Sequence, residues 1–518
     1  MLTRRAFSTL SVLALNELAF ASSDGLTFGR PEAFSFETLT ELARTRAAQP
    51  YNSPAEPSSH VLDRLDYDQL GSIQHPLRTA LHAGTRYPAS FFHLGGLFRK
   101  PVRIFALDGA SAREVIYRKT LFDSPADSPA RDMPEGAGFA GFRLHDAQLP
   151  ESERQTSDWA AFLGASYFRT SGDEGQYGIS ARGIAINTAH PEAQGEEFPE
   201  FSRFYIAPAH NGAVSVFSLL DGPSITGAYR FSIRKHPTSV MEVNCRLFFR
   251  TDVRQIGIAP ATSMFFYSET YRYAGQDYRP EVHDSDGLAL WTDDGEQIWR
   301  PLNNPAHGTL SSFSADGLKG FGLLQRDRAF ASYRDPVNYQ RRPHLWIEPL
   351  GNWGKGSVQL LELPTAGEYH DNVVAFWAPA QAVTSGDARE FSYRLHWGAT
   401  DPVPSGIARC VATRLDKGFV GSRNGRQVCD RQFLVEFDGQ ALAGRNARDA
   451  KPVLTISRGE HDGLSVWPEA DGSPRPWRVS FRVSVEGEEP VEMRLFVNYG
   501  TDTVSETWAF QYHPRLWA

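Results

Sequence analysis

The stretch Glu390-Phe391-Ser392-Tyr393-Arg394-Leu395-His396-Trp397 alternates apolar and polar residues without a break. In an extended chain successive side chains point to opposite faces, so Phe391, Tyr393, Leu395 and Trp397 share one face. That is the pattern of a half-buried strand. The same period returns in Trp477, Val479, Phe481, Val483 and Val485, and again in Met493, Leu495, Val497 and Tyr499. One helix is expected near the start, where Phe36-Glu37-Thr38-Leu39-Thr40-Glu41-Leu42-Ala43 has apolar residues at helical spacing and Pro50 ends the run. Beyond it the chain reads as strands and loops. The 44 Gly and 33 Pro suit a turn-rich, all-β fold rather than a helical one.

Working outward from residue 390, Thr384-Ser385-Gly386-Asp387-Ala388-Arg389 is small and polar and follows an apolar run ending at Trp377. It marks a boundary at 384–389. The residues 390–518 then read as successive short strands, the size of an immunoglobulin-like sandwich. Residues 22–383 read as one large β-domain, with proline-rich surface loops such as Ser124-Pro125-Ala126-Asp127-Ser128-Pro129. No internal repeat of fixed period is present.

The amino terminus, Met1-Leu2-Thr3-Arg4-Arg5-Ala6-Phe7, carries the arginine pair of a twin-arginine export signal. An apolar run from Leu10 to Leu18 follows, and Ala19-Phe20-Ala21 fits the small-x-small cleavage rule. Residues 1–21 are therefore expected to be a signal peptide, with the mature chain working, already folded, in the periplasm. No other run is long and apolar enough to span a bilayer. The net charge of −8 argues against nucleic acid as partner. Three cysteines are too few for a disulfide scaffold; Cys245 lies in a strand-like apolar run, and Cys410 and Cys429 are close enough in sequence to pair. Aromatic residues are 12% of the chain. They can fill sandwich cores or stack on the apolar face of a pyranose.

No P-loop, dinucleotide fingerprint, His-Glu-x-x-His, Cys-x-x-Cys or Gly-x-Ser-x-Gly occurs, and no cofactor is called for. Two acidic segments stand out. His283-Asp284-Ser285-Asp286-Gly287 leads into Leu288-Ala289-Leu290-Trp291, and Gly367-Glu368-Tyr369-His370-Asp371-Asn372 leads into Val373-Val374-Ala375-Phe376-Trp377. Each puts carboxylates at a turn just before an apolar strand. A glycosidase needs two carboxyl groups, one to protonate the leaving oxygen and one to activate water or attack carbon. A turn-forming role for Asp-Gly and Asp-Asn accounts for the same residues. A divalent cation held by His283, Asp284, Asp286, His370 and Asp371 is a third reading, without helical spacing to sharpen it.

A run of ordered matches gives the chain a family resemblance. Phe91-Phe92-His93-Leu94-Gly95, Gly138-Phe139-Ala140-Gly141-Phe142-Arg143, Gln176-Tyr177-Gly178-Ile179-Ser180-Ala181-Arg182-Gly183, Arg300-Pro301-Leu302-Asn303-Asn304-Pro305, Lys319-Gly320-Phe321-Gly322-Leu323-Leu324-Gln325, Asn352-Trp353-Gly354-Lys355-Gly356 and Ser505-Glu506-Thr507-Trp508 are among them. The sequence resembles the periplasmic osmoregulated glucan biosynthesis family, whose branches are proteins G and D. The twin-arginine signal makes the resemblance closer to the D branch.

The resemblance implies a large galactose-mutarotase-like supersandwich followed by a small immunoglobulin-like sandwich. It implies action on the β-1,2-linked glucose backbone of periplasmic glucans by an inverting mechanism, as endo-hydrolase or chain-transferring enzyme. Carried over by position, the general acid falls on Asp371 and the general base on Asp284, with Asp286 a neighbour that can tune Asp284 by like charge. The acid would act through a substrate hydroxyl and the base through waters. Tyr339, in Asn338-Tyr339-Gln340-Arg341-Arg342-Pro343, falls on a substrate-contacting tyrosine. Arg326, Trp346, Glu348, Trp353, Lys355, Thr365 and Glu368 are further cleft candidates, with Trp346 and Trp353 the stacking candidates; each has a structural role as its alternative. The D branch also makes a homodimer an expectation. One segment departs from the family. Leu415-Asp416-Lys417-Gly418-Phe419-Val420-Gly421-Ser422-Arg423-Asn424-Gly425 is shorter than in hydrolytic members and lacks tryptophan. A shorter cover over relay waters would let a sugar hydroxyl replace water, giving transglycosylation that closes a linear glucan into a ring. A non-catalytic glucan-binding scaffold is the remaining alternative.

Overall fold

The alternation at 390–397 is realised in the strand Ala388–Gly398, with Phe391, Tyr393, Leu395 and Trp397 buried and Ser392, Arg394 and His396 facing outward. The computed structural model describes residues 25–514 except 194, 236, 271, 273, 274, 276, 404, 405, 417, 424, 425 and 469–475. The segment 1–21, expected to be an export signal, lies outside the described residues. The architecture is all-β. A 16-stranded sheet and a 10-stranded sheet carry most of the chain, with a 5-stranded sheet and a 2-stranded one beside them.

The two large sheets pack face to face across an aromatic core. Phe142, Phe162 and Phe168 from the smaller sheet meet Phe204 and Phe231 from the larger, with Phe142–Phe204 and Phe162–Phe231 ring centroids each 5.2 Å apart. Such edge-to-face pairs add about 0.5–1.5 kcal/mol beyond area burial. Trp397 ties the sheets directly, its indole N–H donating to the carbonyl of Ile179 at 3.0 Å. The predicted helix forms over Phe36–Ala47. Ser35 caps it in a reciprocal box with Thr38, and its buried Leu39 and Ala43 cover the outer face of the larger sheet.

Ala388–Gly398 corrects the boundary expected at 384–389. It pairs with Ser239–Phe249 on one side and His344–Pro349 on the other, in the middle of the 16-stranded sheet. Residues 384–387 are a turn inside the large body, and its core runs to Trp397. The later strands Arg409–Leu415, Arg426–Asp438, Trp477–Glu486 and Glu460–Pro468 form the 5-stranded sheet with Phe419–Arg423. They pack on Thr507–Tyr512, Val491–Tyr499 and Ala450–Ile456 around a second core. Those three strands continue the large sheet through a parallel pairing of Ile298 with Thr507 and Trp299 with Trp508. The small sandwich thus shares a sheet with the large one.

All three cysteines are buried free thiols. Register explains why Cys410 and Cys429 do not pair. Phe437 lies opposite Cys410, and Cys429 sits eight residues further along that strand, about 26 Å away at strand rise.

Candidate active site

The strand Ile256–Ser263 and the residues after it hold both acidic segments. Met264 accepts the backbone N–H of Asp284 at 2.8 Å. Next to it, the N–H of Phe265 donates to the Asn372 side-chain carbonyl at 2.8 Å, and Ser263 accepts the Asn372 N–H at 3.1 Å. Asp284 is thereby fixed just before Gly287–Thr292 of the larger sheet, and Asp371 just before Val373–Pro379 of the smaller. Two loops from opposite sheets are pinned by one three-residue segment.

Asp284 is buried and Arg342 forms an ion pair with it. Burial pushes the Asp284 carboxyl up to about 6; Arg342 draws it down and the charge of Asp371 raises it. The like charge acting on Asp284 is therefore that of the second proposed carboxylate. Asp371 stands at an exposed rim, yet the surrounding protein still raises its pKa. The Thr262 hydroxyl opposes that shift by hydrogen bonding, as do the charges of Arg169, Arg342 and His370. A cavity of about 740 Å³ opens beside Asp371, lined by Tyr67, Phe92, Phe98, Tyr167 and Arg169 among others.

Tyr339 lies in the short turn Tyr339–Arg341, entered through Asn338 in the left-handed conformation. Its hydroxyl donates to Glu368 at 2.5 Å, and the Arg342 guanidinium covers its ring at 4.2 Å. Glu368 is gripped by Arg279 at 2.8 and 3.1 Å, and that hydrogen bonding holds its carboxyl below the usual range. Thr365 shapes the Glu368 loop, donating its N–H to Asn304 at 2.9 Å and its hydroxyl to Gly367 at 2.8 Å.

The structure thus brings together Asp284, Asp371, Tyr339, Glu368 and the Thr365 turn. It turns Asp286 and Arg326 away. Asp286 accepts the backbone N–H groups of Arg326 and Asp327 at 2.5 and 2.7 Å. Arg326 grips Glu506 with two bonds of 2.8 Å and stacks on Trp299. Both line a second cavity of about 410 Å³ at the seam of the two cores. Burial raises Asp286 to about 7, Glu269 to about 7 and Glu281 to about 8 there. The departing segment also borders this seam: Leu415 lines the cavity, and Phe419–Arg423 folds back on Arg426–Asp438.

The remaining candidates are remote from the two carboxylates. Trp346 is buried against the second core, and Trp353 packs on Trp377, Phe391 and Tyr393. Glu348 pairs with Arg394 and His396 on the solvent face of the large sheet, and Lys355 pairs with Asp316 at the surface. The exposed aromatics among the described residues are instead Tyr67, Phe198, Tyr278, Phe330, Tyr369 and Trp467. Sequence reasoning missed Arg342, Arg279, Thr262 and Arg169. Arg342 stands three residues after Tyr339 in Asn338-Tyr339-Gln340-Arg341-Arg342-Pro343, and its nearness to that candidate is its one local signal; nothing local marks Arg279. Among the described residues no three His, Cys, Asp or Glu side chains gather in a way that could hold a metal ion.

Residues 34–512 match the family described as "Periplasmic glucan biosynthesis protein, MdoG". The chain belongs to this family. "Glucans biosynthesis protein D 2" of Ralstonia nicotianae is 46% identical over 518 residues, covering 98% of this chain and 96% of that protein. "Glucans biosynthesis protein D" of Xylella fastidiosa is 42% identical over 523 residues, covering 99% and 94%. Among solved structures, a galactose mutarotase related enzyme from Lactobacillus acidophilus aligns at TM-score 0.23 and 7% identity, over 51% of this chain and 91% of that one. The family is periplasmic, and no helix among the described residues is long and apolar enough to cross a membrane.

Proposed function

We propose that the protein acts on the β-1,2-glucan backbone of osmoregulated periplasmic glucans through an inverting two-carboxylate mechanism, with Asp371 as general acid and Asp284 as general base. The observation that carries this is the convergence of the two carboxylates, from opposite sheets, on one clamp at Ser263–Phe265. Contact with charge separates their roles. Arg342 favours the carboxylate form of Asp284, as a base requires. Asp371 stands at the rim, where a bound sugar would strip its water and favour the protonated form. The acid acts through a substrate hydroxyl and the base through waters, so both must be held in fixed geometry. Delivery to the periplasm by the twin-arginine signal at 1–21 completes the reading.

A second reading is cyclising transglycosylation of linear β-1,2-glucan by the same carboxylates. It is favoured by the exposure of Asp371 and by the short segment 415–425, whose strand is taken up in a hairpin of the small sandwich. Purified mature protein incubated with linear β-1,2-glucan decides by product mass. Gain of one water per cut means hydrolysis, and a product one water lighter than its linear equal means cyclisation. Unchanged substrate sinks both and leaves a glucan-binding scaffold.

A further inference from the structure

One guanidinium outside the carboxylate pair is bound by three carboxylates. Arg279 meets Asp335 at 2.6 Å, Glu368 at 2.8 Å and Asp277 at 2.8 Å. Its side chain is 13% exposed and that of Asp335 7%. A hydrogen-bonded guanidinium with so little freedom is a fixed point, because any rotation breaks several charge-assisted bonds. What hangs from it is a chain of contacts leading to Asp284. Glu368 uses both oxygens on Arg279, and one of them also accepts the Tyr339 hydroxyl. Tyr339 is almost fully buried, so its ring works as a wall. That wall supports the Arg342 guanidinium, and Arg342 pairs with Asp284.

We propose that Arg279 is a positioning residue for the base: through Glu368 and Tyr339 it holds Arg342 against Asp284. The proposal rests on the reading of Asp284 as base. It also changes the part played by Tyr339, from a sugar contact to the support of a cation. The charged groups acting on Asp284 are Arg342, Asp371 and His283, and those around Glu368 are Arg279, Tyr339 and Asp277. Arg342 touches both Asp284 and the Tyr339 wall. Arg279 therefore reaches the base by way of Arg342.

The test is a double-mutant cycle read on the acid limb of kcat/KM against pH, with linear β-1,2-glucan as substrate. Arg279→Gln frees Glu368 and loosens Tyr339, so the limb moves up by about half a pH unit, the scale of coupling through such networks. Arg279→Lys keeps the charge and restores part of the shift. In a Tyr339→Phe background, which keeps the ring and cuts its link to Glu368, Arg279→Gln moves the limb no further. An unmoved limb in Arg279→Gln, or an equal shift in both backgrounds, overturns the proposal. Carbon-13 titration of the Asp284 carboxyl in the same full-length variants reads the coupling without turnover. If wild type leaves the glucan unchanged, the functional reading fails while this titration still decides whether Arg279 acts on Asp284.

Discussion

Replacing Arg342 by methionine separates two roles that a pair of carboxyls can exchange. Methionine keeps apolar cover over the Tyr339 ring and removes the charge that pairs with Asp284. Burial has already pushed Asp284 to about 6, and Arg342 is the strongest influence in the other direction. A cation in contact lowers a carboxyl by about one to three units. Because the Arg342 side chain is 20% exposed, we take the lower part of that range. Asp284 then moves up by about one to two units, and its ionised fraction at pH 7 falls from about nine-tenths to between about one-half and one-tenth.

The assay is kcat/KM across pH, which reports groups of the free enzyme. With Asp284 as base, the acid limb rises and the rate at pH 7 falls by about two- to tenfold. With Asp284 as acid, the same shift raises the alkaline limb and leaves the rate at pH 7 intact or greater. That second outcome refutes the assignment of roles. An acid limb that stays where wild type has it refutes the control of Asp284 by Arg342.

Asp371→Asn should abolish turnover while titration calorimetry still detects glucan binding, since the amide fills the same space but has no proton to give. Arg326→Met leaves Glu506, which is 1% exposed, without its main cation; urea unfolding should show a loss of about 3–5 kcal/mol. The seam carboxyls make stability depend on pH with an unusual sign. Their folded values of about 7 to 8 lie above the unfolded ones, so the folded state holds more protons between them. Stability should fall as pH rises through that window, and Glu281→Gln should flatten the fall in urea midpoints between pH 6 and pH 9.

The sequence made the strands legible because their period is local. Burial on one side forces the alternation seen at 391–397 and 477–485, and the helix at 36–47 announces itself in the same way. The partners of a strand are not local. Ala388–Gly398 follows a polar turn and looks like the first strand of a new unit, yet its neighbours are Ser239–Phe249 and His344–Pro349. The acidic segments were visible as carboxylates at turns before strands, and their pairing was visible only through family resemblance. Trp346 and Trp353 illustrate the limit on aromatics. Trp353 sits in the glycine-rich run Gly351–Gly356 and Trp346 between His344 and Pro349, and packing against Trp377 for the first and Gly320 for the second makes them core. Arg279 and Arg342 escaped because a guanidinium is defined by what it reaches, and their partners lie up to 89 residues away.

Asp286 explains why the small sandwich bears on the site at all. It sits two residues from Asp284 and accepts two backbone N–H groups from the turn at Arg326 and Asp327. The side chain of that same Arg326 reaches Glu506, Asp401 and the Cys410 carbonyl, all on the later part of the chain. Glu506 in turn accepts the N–H of Cys410 at 3.0 Å. The segment that carries the proposed base is thus braced from behind by the small sandwich, while Arg342 and Tyr339 brace it from the front. Sheet pairing supports the same conclusion. Without Thr507–Tyr512 the strand Gln297–Pro301 would become an open edge, with a row of unpaired backbone groups. Gln297–Pro301 pairs directly with Gly287–Thr292, the strand that Asp284 leads into. Loosening that edge would loosen the placement of the carboxyl. The second sandwich therefore works as part of the support for the segment that carries the proposed base, from behind and not from the side of Arg342 and Tyr339.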